Sequence, residues 1–89
     1  MERWFERLGC SGIGFAELAR IAKSMATLRA TGHEAANLDV VLGRGKRRAL
    51  SPTQEDLLTE LGSADAGLLE DLVYLCEAAA LDATGGGNA

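Results

Sequence analysis

Residues 68–80 carry two apolar seams at helical spacing, and few architectures can accommodate that. Leu68, Leu72, Leu75 and Ala79 form one seam, and Leu69, Val73, Cys76 and Ala80 form a second beside it. A helix with so wide an apolar face needs neighbours to cover it, which in a chain of 89 residues means other helices. An earlier stripe supplies one neighbour: Leu18, Ile21, Met25 and Leu28 recur at alternating three- and four-residue intervals, interleaved with Ala19, Ala22 and Ala26. Ala and Leu dominate the apolar residues and β-branched residues are sparse, so helix is favoured over strand throughout. The expected fold is an all-α compact bundle of four to five short helices.

Local punctuation places the helices. Trp4, Phe5 and Leu8 give a short first helix, about residues 2–8, closed by Gly9, Gly12 and Gly14. The second spans about residues 15–30, with Arg29 in its last turn and Gly32 beyond it. A third, about residues 33–42, would bury Leu38, Val41 and Leu42 and stop at Gly43. Ser51-Pro52-Thr53-Gln54 is the strongest local signal: a capping serine, proline at the first helical position and Gln three residues after the cap. The helix it starts carries Leu57, Leu58 and Leu61 and ends at Gly62; Ser63 or Asp65 then caps a last helix that runs to about Asp82. The predicted core is Leu18, Ile21, Met25, Leu28, Leu38, Val41, Leu57, Leu61, Leu68, Leu72, Val73 and Leu75. Residues 1–83 read as one helical domain, 43–50 as a basic loop or linker and 84–89 as a disordered Gly-rich tail.

No catalytic or cofactor constellation is present. A phosphate loop requires a glycine five positions before Gly45-Lys46 and a hydroxyl after it, where Val40 and Arg47 stand. The glycines at 9, 12 and 14 fail the dinucleotide fingerprint, since no strand precedes them and Glu17 occupies the last glycine position. Cys10, His33 and Cys76 are isolated from one another in sequence, so no metal is expected. His33 reads as an exposed residue at a helix start, and the two cysteines as reduced thiols, with Cys76 in the core. The opening stretch alternates charges with aromatics, unlike a secretory signal, and no apolar run reaches a membrane span; a cytoplasmic, non-enzymatic protein is the expectation.

Charge gives the functional lead. All nine cations lie at or before Arg48; with five carboxylates, residues 1–48 carry +4, while residues 49–89 hold eight carboxylates and no cation, giving −8. The simplest use of this asymmetry is internal, with Arg20, Lys23 or Arg29 facing the acidic last helices. A second use sets Glu55, Asp56, Glu60, Glu70, Asp71 and Glu77 against a basic surface of a protein partner, as an adaptor, anti-activator or phage-type inhibitor would, the partner itself being in one version a nucleic-acid-binding protein. A third use is direct DNA binding. Residues 54–62, closing on Leu61-Gly62 and followed by Ser63, resemble the first helix and turn of the helix-turn-helix of bacterial transcription regulators. That resemblance implies a recognition helix next, which should offer cations or amides to DNA; the helix that follows offers Asp65, Glu70 and Asp71. Phosphate contacts would then fall to Arg44, Lys46, Arg47 and Arg48. Protein–protein binding is the preferred expectation, with homodimerisation through the first or last helix a further one.

Overall fold

The structure, a computed structural model, describes residues 2–85. It is all-α: α1 (Glu2–Gly9), α2 (Phe15–Ala30), α3 (Leu38–Leu42), α4 (Arg44–Arg48), α5 (Pro52–Gly62) and α6 (Ala66–Gly85). Helices α2 and α6 pack along each other and form the spine of the bundle, on which the shorter helices are arranged. Its core combines Leu18, Ile21 and Met25 of α2, Leu69, Leu72 and Cys76 of α6, Leu57, Leu58 and Leu61 of α5, and Leu8 and Leu38. Ala19, Ala22 and Ala26 are buried as well. Small side chains at these turns of α2 let the partner helix approach closely. No helix among the described residues is long and apolar enough to cross a membrane.

Tertiary contacts account for the places where the expected boundaries move. The third helix begins at Leu38, not near His33. The Arg29 side chain reaches out of α2 to donate to the carbonyls of Ala64, His33 and Glu34, which holds the 33–34 backbone away from a helical path. Two residues on, the Ala36 N–H donates to the Gly62 carbonyl at 2.8 Å. Asn37 then caps α3, its side chain accepting from the Asp39 N–H at 2.8 Å.

The segment expected to be a basic loop is a helical turn, α4, and so adds a sixth helix. Gly43, at φ +84°, ends α3 and redirects the chain, and its carbonyl accepts from the Arg47 N–H. Two of the cations are tied down by carboxylates of other elements, Lys46 by Glu17 and Arg47 by Asp39 and Glu55. The last helix continues past Asp82 to Gly85, into the span assigned to the tail; residues 86–89 lie outside the described residues.

Helix α5 forms as its local sequence dictates. The Ser51 hydroxyl accepts from the Gln54 N–H, and the Gln54 side chain accepts from the Ser51 N–H, closing the reciprocal cap. Gln54 also donates across to the Ser11 carbonyl at 2.9 Å, fastening α5 to the end of α1. Gly62 closes α5 for a reason other than a left-handed backbone. A Cβ there would lie 2.8 Å from the Ala36 carbonyl oxygen, so the glycine makes room for the 33–37 segment.

Candidate protein-binding face

The orientation of α6 follows from which of its residues α2 takes. Leu69, Leu72 and Cys76 are fully buried, while Leu68, Val73, Ala79 and Ala80 at the edges are half-buried. At about 100° per residue, the side away from Leu69, Leu72 and Cys76 carries Tyr74 and Ala78, with Leu81 at its border, where it shares a cleft with Ala16, Ala19, Arg20 and Lys23 of α2. Tyr74 is 78% exposed and Leu81 71%; Leu75, on the shoulder, is 36% exposed. The expected core therefore needs correction at Leu75, which reaches solvent, and at Val73 and Leu68, which are only partly covered. The two seams could serve two neighbours; α2 packs along α6 far more extensively than α1 does, and Leu72 of one seam with Leu69 and Cys76 of the other are the fully buried members.

Carboxylates line both sides of this exposed stripe. Glu70 and Glu77, seven residues apart, flank it on one side, and Asp71 and Asp82 flank it on the other; all four are exposed. Glu70, Asp71 and Glu77 make no ion pair among the described residues. Lys23 of α2 borders the clefts that Glu70 and Glu77 also line, yet closes no ion pair with either.

The other carboxylates singled out from the sequence separate from this group. Glu60 accepts from Arg7 at 2.7 Å, a bond that holds its carboxyl below the usual range. Glu55 is 3.4 Å from Arg47. Asp56 is exposed on α5, beside a cleft lined by Arg7, Cys10, Ser51 and Gln54. Of six predicted acidic site residues, then, three share the outer face of α6, two are engaged internally and one stands apart on α5. Tyr74 and Leu81 were missed by sequence reasoning. The signal was available: counting round the helix from Leu69, Leu72 and Cys76 places Tyr74 on the far side and Leu81 at its border.

The basic residues divide similarly. Lys46 donates to Glu17 at 3.1 Å, and this bond, reinforced by Arg20, lowers the Glu17 carboxyl below its ordinary value. Arg47 bridges Asp39 at 3.0 Å and Glu55, which raises its guanidinium further above the neutral range. Arg44 and Arg48 are exposed and have no ionic partner among the described residues. Internal charge complementarity thus exists: Lys23 and Arg20 share clefts with the α6 carboxylates as expected, but the ion pairs that close involve other partners. Arg20 pairs within α2 with Glu17, and Arg29 serves backbone carbonyls. Cys10 and Cys76 are both free thiols, and burial pushes the Cys76 thiol up.

No family model, no curated protein and no solved structure matches this chain.

Proposed function

We propose that the chain is a non-enzymatic regulatory binding protein whose outer α6 face engages a basic surface of a partner protein, as an adaptor or inhibitor would. The observation that carries this reading is the exposure of Tyr74 among carboxylates, of which Glu70, Asp71 and Glu77 form no ion pair among the described residues. Tyrosine is a frequent interface anchor because it offers a large apolar ring at little entropic cost, with a hydroxyl that tolerates water in the free state. Full burial of a leucine such as Leu81 contributes about 1.5–3 kcal/mol. The surrounding carboxylates add association rate and selectivity for a cationic partner. Where that basic surface serves nucleic acid, occupancy by this chain competes with it, and the outcome is inhibition.

Affinity capture from the native cell tests the reading when run on three forms of the chain. The wild type and an Arg44→Ala/Arg48→Ala control should retain the same protein, and the Tyr74→Ala/Glu70→Lys variant should lose it at least tenfold. Retention indifferent to the α6 substitutions, or retention of DNA alone, contradicts the reading.

A second reading, direct DNA binding, is favoured by Arg44 and Arg48 on α4, which have no ionic partner among the described residues. With Lys46 and Arg47 already committed to carboxylates, about two phosphates would be neutralised, for a salt slope near −2. A duplex-binding assay at several salt concentrations, on wild type and an Arg44/Lys46/Arg47/Arg48 alanine variant, decides it. This reading requires binding that weakens with salt and vanishes in the variant.

A further inference from the structure

We infer that the occupant of the outer α6 face is a basic amphipathic helix of the partner, laid along α6 over Tyr74 and Ala78. This deepens the proposed function and rests on it. Shape and charge specify this occupant together. Tyr74, Ala78 and Leu81 follow a four- then three-residue step, which gives a narrow ridge running along the helix axis. From Glu70 to Asp82 the face is about 18 Å long, and its apolar width is that of a single helix contact. Such a ridge matches the groove between neighbouring side-chain rows of another helix.

The flanks specify the charge of that helix. Glu70 and Glu77 on one side, and Asp71 and Asp82 on the other, stand where the flanking positions of a paired helix would lie. A partner helix with Leu or Met on its seam and Lys or Arg beside it meets both rows at once. Lys23, which shares clefts with Glu70 and Glu77, and Arg20, which shares one with Glu77, offset part of the charge on that row; Asp71 and Asp82 line neither cleft. A second copy of this chain is the wrong occupant for the same face, because two α6 surfaces brought together would oppose carboxylates on both flanks, with no cation on either helix to relieve them.

The test uses isotope-labelled full chain and three synthetic peptides of about six helical turns. One has leucines at heptad seam positions with lysine and arginine flanks; one has the same composition scrambled to remove the periodicity; one has the pattern kept and the flanks changed to glutamate. The patterned basic peptide should bind one to one, at least tenfold more tightly than either control, and its amide shift changes should centre on residues 70–82. Glu70→Lys/Glu77→Lys and Tyr74→Ala/Leu81→Ala, each checked for native helicity by circular dichroism, should each weaken it at least tenfold. Equal affinity for the scrambled peptide, shift changes centred on α4, or self-association through α6 in light scattering would each overturn the inference. If the peptides fail while the captured protein still depends on Tyr74 and Glu70, the helical occupant alone is wrong. If that dependence is absent too, the binding face itself is wrong.

Discussion

At the scale of single residues, two side chains of similar chemistry have opposite roles because of where the helix turns them. Leu58 is fully buried between α5 and the spine, whereas Leu81 is largely exposed on α6. Leu58→Ala should cost about 2–5 kcal/mol in denaturant unfolding, the range for a buried leucine that leaves a cavity. Leu81→Ala should stay within about 1 kcal/mol, because Leu81 is 71% exposed and its removal leaves no cavity, with Leu75, 36% exposed, falling between the two. Gly62 makes a sharper case. Its missing side chain leaves space for the Ala36 carbonyl, and the same pair of residues shares the 2.8 Å backbone bond that sets the entry to α3. Gly62→Ala should raise helix propensity yet destabilise the fold by about 1–3 kcal/mol, as overpacking does, since the nearest atom belongs to backbone and cannot rotate aside. A neutral or stabilising effect would show that the 33–37 segment yields freely.

At the scale of elements, the local signals and the tertiary ones part company. The start of α5 was legible because its cap is written in four consecutive residues, and both reciprocal bonds form. Ser51→Ala should cost about 1 kcal/mol in thermal or chemical unfolding, with helicity at α5 the first to fray in hydrogen exchange. The start of α3 was not legible, because what holds residues 33–34 out of the helix is an arginine that also reaches Ala64, 35 residues away. The α4 turn was likewise hidden. Four cations among two glycines read as a solvated loop until Glu17, Asp39 and Glu55 are placed around them. For the binding face, the sequence showed the acidic half but not its division. Nothing local distinguishes Glu60, held by Arg7 from α1, from Glu77, which makes no ion pair among the described residues. Tyr74 was within reach of the helical period, but two equally apolar seams left the inward direction undetermined until Leu69, Leu72 and Cys76 are seen to be the fully buried members.

At the scale of the whole molecule, the charge asymmetry of the chain is partly spent inside the fold and partly displayed. Arg7 to Glu60 and Lys46 to Glu17 join distant segments, and both carboxyls sit below their ordinary values, chiefly because of the hydrogen bond from the cation. A carboxylate with a depressed folded-state value stabilises the fold above its unfolded value and loses that contribution as pH falls through the folded one. Stability should therefore be flat through neutrality and decline as pH drops below about 4.3, the ordinary glutamate value. Glu17→Gln/Glu60→Gln should lower stability slightly at neutral pH and shrink that acid decline; the pairs are exposed, so both effects are small. Unfolding curves from neutral pH to about pH 2.5 measure this, and a decline starting above the carboxylate range would contradict it.

The carboxylates of α6 are the displayed part, and their use is the central claim. It is tested most directly by a photo-crosslinking side chain placed at position 74 and, in a second protein, at position 40. Val40 is 69% exposed but lies on α3, outside the acidic stripe, so it controls for exposure alone. Irradiation in the native cell should yield one protein adduct from position 74, reduced when Glu70 and Glu77 are changed to lysine, and none from position 40. An adduct from position 40 and none from 74 would contradict the claim.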